Sequence, residues 1–198
     1  MTIVRTIDSI VDWLNANVCP EILMKVPPTD RNPDDVTYDY RLMHPHTFPL
    51  FVPTRDKLPP NVICNTPSIC VQLTNGNDEP DNREINISLG FGAWNPGIHP
   101  GDWIIPYGYD PEEGETDTFI SIAEGWRDLW NLVDITAAKL QSTTYIGDVE
   151  VMQHEGMEFG QYREEQSIAS YYPFWYAYLN FKVRSSLRRN NAAIEEML

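Results

Sequence analysis

The chain has 198 residues, 42% of them hydrophobic, and a formal net charge of −15 from 29 acidic and 14 basic side chains. That length can bury roughly 70% of the surface exposed when unfolded, in one domain or one domain with a long insertion. The acidity excludes a surface that grips nucleic-acid phosphates, which needs clustered Lys and Arg. It suits a surface past which DNA must slide without being held.

Cys19, Cys64 and Cys70 are odd in number and spaced unlike any zinc site. They read as reduced thiols packed as small apolar groups, in a reducing, cytoplasmic compartment. No run of about 18 apolar residues predicts a membrane-spanning helix. The N-terminus has no basic region followed by an apolar core and cleavage site, so no secretion signal is expected.

In chain order, Thr2 to Val18 reads as an amphipathic helix. Ile3, Ile7, Ile10, Val11 and Leu14 recur at helical spacing, and Pro20 stops the pattern. Pro27 to Pro67 carries nine prolines, at 27, 28, 33, 45, 49, 53, 59, 60 and 67, which forbid long regular structure. It is expected to be an extended, surface-hugging arm with one short strand at Val36 to Leu42. Its apolar Phe48, Leu50, Phe51 and Val52 suggest packing against something, including another copy of the chain.

Ser68 to Thr74 and Arg83 to Phe91 read as the two strands of an antiparallel hairpin with one buried face. The acidic loop Asn75 to Asn82 joins them. Gly92 to Thr116 is a long excursion with Trp94, Trp103 and Tyr107, of a length usual for functional or interaction elements. Asp117 to Gln141 reads as the main helix, capped by Thr116 or Asp117. Ile122, Trp126, Leu129, Trp130, Val133, Ala137 and Leu140 form its apolar face. Tyr145 to Gln153 reads as a strand, His154 to Met157 as a turn or bulge, and Tyr171 to Arg184 as a long aromatic strand closing the sheet. Residues 185–198 are a tail. The order α, β, β, α, β, β predicts an α+β fold: a mixed, largely antiparallel sheet with an N-terminal and a long central helix packed on it.

No catalytic constellation emerges. His44 and His46, with His99 or His154 and an acid, are the nearest approach to a metal site, but Pro45 points the two imidazoles apart along an extended chain. Asp78 to Asp81 and Asp110 to Asp117 lack the ligand spacing of an EF-hand. They read as solvated hairpin tips or as an acidic rim made by Asp78, Glu79, Asp81, Glu112, Glu113 and Glu115. The neighbouring acids Glu155 and Glu158, or Glu164 and Glu165, read as solvated rather than as a glycosidase pair. No nucleophile elbow, phosphate loop or dinucleotide fingerprint is present, and no catalytic, cofactor or metal residue is assigned. Trp126 and Trp130 share a helix face that reads as core or as a face offered to a neighbouring subunit. Phe48, Phe51, Trp94 and Trp103 are further interface candidates.

The hairpin Ser-Ile-Cys-Val-Gln-Leu-Thr with Glu-Ile-Asn-Ile-Ser-Leu-Gly, the helix Phe-Ile-Ser-Ile-Ala-Glu-Gly-Trp-Arg-Asp-Leu-Trp and the closing Tyr-Tyr-Pro-Phe-Trp-Tyr-Ala-Tyr-Leu-Asn-Phe-Lys-Val carry a resemblance. Over Ser68 to Arg184, with Thr2 to Val18 in the place of the family's N-terminal helix, the chain resembles the tail terminator (tail completion, or collar) proteins of tailed phages and phage-tail-like bacteriocins. The resemblance implies an α+β protomer, made in the bacterial cytoplasm, that forms a hexameric ring on the tail tube. The ring stops tube polymerisation and faces the head connector; in contractile systems it also meets sheath protein. DNA would pass through as repelled cargo. The arm at Pro27 to Pro67 and the excursion at Gly92 to Thr116 are longer than a minimal terminator needs. A head–tail connector (neck) protein and an acidic DNA-mimic binding protein are the alternative readings, with a small hydrolase behind them.

Overall fold

The computed structural model describes residues 2–27, 41–79, 82–98, 120–121, 125–164, 167–168 and 171–186. Its first element is helix α1, Ile3–Asn17, capped by Thr2, whose hydroxyl accepts the Arg5 N–H at 3.3 Å. Ile7, Ile10 and Leu14 are buried, as the spacing requires, while Ile3 at the fraying end is exposed.

The arm that follows is more integrated than its prolines suggest. Strands β1 (Met24–Lys25) and β2 (Leu42–Met43) pair with each other, and β3 (His46–Pro49) runs parallel to the next strand. The expected strand at 36–42 lies mostly outside the described residues. β3 is an edge strand with Pro49 at its end, a sheet position where proline can sit without removing a ladder bond.

β4 (Ser68–Asp78) and β5 (Asn82–Trp94) form the expected antiparallel hairpin, but longer than the alternation indicated. The acidic segment from Asn75 to Asp78 is strand rather than loop, after a bulge between Leu73 and Asn75. β6 (Gly97–Ile98) and β7 (Ile120–Ser121) then pair as a short ribbon. That ribbon overturns the expected helix start at residue 117. Helix α2 is Trp126–Gln141, and the β-branched Ile120, which fits a helical period, equally fits the strand Ile120–Ser121.

The expected strand from Tyr145 to Gln153 is instead a tight hairpin of β8 (Tyr145–Ile146) and β9 (Val149–Val151). Gly147, at φ 56°, supplies the left-handed residue its two-residue turn needs. A turn of 3-10 helix follows at Gln153–Glu155 and ends at Gly156, as expected. β10 (Glu158–Gln161) and the short pair β11 (Arg163–Glu164) and β12 (Ser167–Ile168) were not foreseen. The closing strand β13 is Phe174–Ser186. Tyr171 to Pro173 form a turn before it, and its end takes in the first two residues assigned to the tail.

The main sheet runs β3-β4-β5-β13-β9-β8, with β10 also on β13, and is antiparallel except at β3. This is an α+β fold. One sheet face carries Ile69, Val71, Ile85, Ile87, Leu89, Phe91, Leu179, Phe181 and Val183. It packs on Ile10 and Leu14 of α1 and on Leu129, Leu132, Val133 and Leu140 of α2. Burying those side chains stabilises the fold by roughly 1.5–3 kcal/mol each. Both helices lie on that one face, so the opposite face carries no helix among the described residues.

Candidate interaction surface

The helix-free face is set by strand alternation. Residues 68, 70, 72 and 74 of β4, 88, 90 and 92 of β5, and 176, 178 and 180 of β13 point away from the helices. The floor they make is shallow because its centre is small: Ser68, Cys70, Ser88, Gly90 and Gly92. A Cβ on Gly92 would sit 3.2 Å from Ser68 Oγ and 3.5 Å from the Tyr176 ring. Around the floor stand larger side chains, and a cleft of about 640 Å³ lies between them.

One wall is Phe51 and Val52. The chain reaches them through a three-residue turn in which the Phe51 N–H donates to Pro49 O at 2.8 Å across Leu50. Leu50 takes φ 67°, a left-handed conformation costly for a branched, non-glycine residue. Leu50 N–H to Val71 O, 2.8 Å, and Gln72 Nε2 to Leu50 O, 3.4 Å, hold the turn in place.

The opposite wall is tyrosine. Tyr176 meets the Tyr171 ring edge-on at 5.8 Å and stacks parallel on Phe174 at 6.5 Å. Tyr178 crosses β10 at Gly160, where a Cβ would come within 2.9 Å of its hydroxyl, and that hydroxyl donates to Glu158 Oε1 at 3.5 Å. Tyr162 completes the rim. Burial raises the Tyr176 phenol above its ordinary value and pushes the Cys70 thiol up to about 11. Both are therefore neutral at physiological pH, and none of the sixteen lining residues carries a charge there.

Charge pairs off at residues outside the cleft lining. Arg83 binds both carboxylate oxygens of Asp78, with Nη2 2.7 Å from Oδ2. Arg184 reaches Glu84 at 2.7 Å and Lys182 reaches Glu155 at 2.9 Å. The latter contact holds the Glu155 carboxyl below the usual range, as expected of a solvated carboxylate with a cation beside it. Of the acidic-rim candidates, Asp78 is ion-paired and Glu79 is exposed at the hairpin tip. Asp81, Glu112, Glu113 and Glu115 lie outside the described residues.

The aromatic candidates divide. Phe48 is 4% exposed and Trp94 6%, so both are buried within the protomer and have little surface left for a partner. Trp130 packs on the core and meets Phe159 edge-on at 6.1 Å. Trp126 is 38% exposed, with the Arg127 guanidinium 4.9 Å from its ring centroid. Phe51, at 67%, is the one candidate that the structure places on the cleft. Trp103 lies outside the described residues. Tyr162, Tyr171, Tyr176 and Tyr178 were not singled out, although Tyr-Ala-Tyr-Leu-Asn-Phe, with amphipathic residues on the alternate positions, carries that signal.

The three described histidines do not converge: His44 Nδ1 bonds Ile22 O at 2.8 Å, His46 lies beside Phe48, and His154 beside Glu155, while His99 lies outside the described residues. Among the described residues no group of three metal-ligating side chains assembles, and no helix is long and apolar enough to cross a membrane.

At the other end of β5 a polar clamp ties sheet, helix and ribbon together. Asn95 Nδ2 donates to Asp128 Oδ2 at 2.6 Å, its Oδ1 accepts from Gly97 N at 3.0 Å, and its carbonyl accepts from Trp175 Nε1 at 3.2 Å. Buried Lys25 donates to Gly97 O at 2.6 Å. These bonds fix the ribbon from which residues 99–119 depart.

No protein-family model matches the chain, and no curated protein matches it.

Proposed function

We propose that this chain is a structural assembly protein, a tail terminator that caps a phage or phage-tail-like tube as a ring. In that role it stops tube polymerisation, and where a sheath exists sheath polymerisation, and joins the tail to its head-proximal end. The observation that carries the reading is a sheet with one face sealed by helices and the other bearing an uncharged, aromatic-walled cleft on an otherwise acidic molecule. A surface of that kind fits contact with protein better than contact with phosphate or with a cation. The pairing of Asp78, Glu84 and Glu155 with cations speaks against the DNA-mimic alternative, which needs rows of free carboxylates. The overall acidity fits a part through which DNA passes unheld.

Deletion of the gene in the producing strain tests the reading, with particle lengths measured by electron microscopy. Overlong or ragged tails are expected. Tails of normal length that fail to join heads would indicate a neck protein instead, and normal complete particles would rule out assembly.

A further inference from the structure

We propose that Lys25 and Asn95 join through an amide bond between their side chains, with Asp128 carrying the proton. This chemistry is independent of the terminator reading. An amine, a carboxamide and a carboxylate meet at the polar clamp, drawn from β1, the residue after β5 and the first turn of α2.

Each group is placed for its part. Asn95 Nδ2, the nitrogen that must leave, donates to Asp128 Oδ2 at 2.6 Å, within reach for proton transfer. Asn95 Oδ1, which gains negative charge on attack, already accepts the Gly97 N–H at 3.0 Å, a donor of the kind that stabilises an oxyanion. Lys25, 7% exposed, lays its Nζ 2.6 Å from the carbonyl oxygen of that same Gly97. Amine and amide therefore flank one residue, and the flexible four-carbon stem of lysine lets the nitrogen move from the carbonyl to Asn95 Cγ. Asn95 itself is held still: Trp175 Nε1 bonds its backbone carbonyl at 3.2 Å, and a Cβ on Gly125 would come within 2.8 Å of its Cβ. Lys25 and Gly97 are both buried, which keeps bulk water from competing as the nucleophile.

In the step itself the Lys25 nitrogen, as the neutral amine, attacks Asn95 Cγ. Asp128 takes the proton that this nitrogen sheds and passes it to Nδ2. The Cγ–Nδ2 bond then breaks and ammonia leaves. One C–N bond forms and one breaks, no atom is oxidised or reduced, and no co-reactant is consumed. Holding both groups in one packed site replaces a bimolecular encounter with an intramolecular one. The product ties β1 to the end of β5 and closes a covalent loop over residues 25–95, which restricts the unfolded chain as a disulfide does.

Mass spectrometry of the purified full chain tests the bond. The expected intact mass is that of the sequence less one ammonia, and protease digestion should yield the Lys25 and Asn95 peptides as one linked species. Asp128→Asn keeps the side chain's shape, so it is expected to fold, by circular dichroism, yet to keep the ammonia and give separate peptides. Lys25→Met should keep the ammonia as well. A folded wild-type chain whose Lys25 and Asn95 peptides separate overturns the assignment, as does an ammonia loss that maps only to another asparagine. Linkage in Asp128→Asn at the wild-type level overturns the role given to Asp128.

Discussion

The two faces of the sheet follow opposite rules. On the helix side every inward position of β5, from Ile85 to Ala93, is apolar and essentially without solvent contact. On the other side the same strand presents Asn86, Ser88, Gly90 and Gly92, and the large side chains stand at the margin. The first face is filled to hold the fold together. The second is left hollow at its centre, which costs burial that a larger residue at Gly90 or Gly92 would supply. The contrast teaches that alternate residues of the same strands fill the core on one face and line an open cleft on the other.

The largest effect is expected on the filled face. Leu89→Ala removes a fully buried side chain from the central strand and should destabilise by about 2–5 kcal/mol, read from urea unfolding midpoints. Gly125→Ala comes next. Its new Cβ would meet Asn95 O at 2.5 Å and Trp175 Nε1 at 2.6 Å, and overpacking of that kind costs roughly 1–3 kcal/mol. Gly92→Ala on the hollow face meets its neighbours at 3.2 Å or more and should cost less in the same assay.

A pH titration sharpens the contrast from the cleft floor. Burial lifts the Cys70 thiol from 9.0 to about 11. Between those values the unfolded chain loses a proton that the folded chain keeps, so stability is full below pH 9 and falls as pH rises toward 11. The loss should reach about 2 kcal/mol, and Cys70→Ala should remove that part of the slope in denaturation curves. The smallest effect belongs to the rim. Tyr162→Ala and Phe51→Ala remove exposed side chains and should move stability by less than about 0.5 kcal/mol in the same unfolding assay. A rim variant that unfolds the monomer would break the distinction between the faces.

Much of the fold was legible in periodicity. Helix α1, the β4–β5 hairpin and the aromatic strand each have one apolar stripe, and each lies within a few residues of the expected place. Where the reading failed, two periods fitted the same residues. The segment before Trp126 satisfies a helical spacing, yet Ile120–Ser121 pairs with Gly97–Ile98, a non-local partner that no local window contains. Tyr145 to Gln153 alternates like one strand, but the Gly147-Asp148 turn folds it on itself. The interface candidates were chosen by size and apolarity, which do not distinguish Phe48, buried beside the β4 edge, from Phe51 three residues on.

Composition and hydrophobic period by themselves determined an acidic α+β protein with two amphipathic helices and a long antiparallel hairpin, because those properties depend on residues near one another in the chain. The hollow face was decided only in three dimensions. Its walls come from the arm at Phe51 and from the Tyr162 and Tyr171 region, more than a hundred residues apart. What brings them together is the parallel pairing of β3 with β4 and the antiparallel pairing of β13 with β5, and strand register of that range is set by the burial of the opposite face.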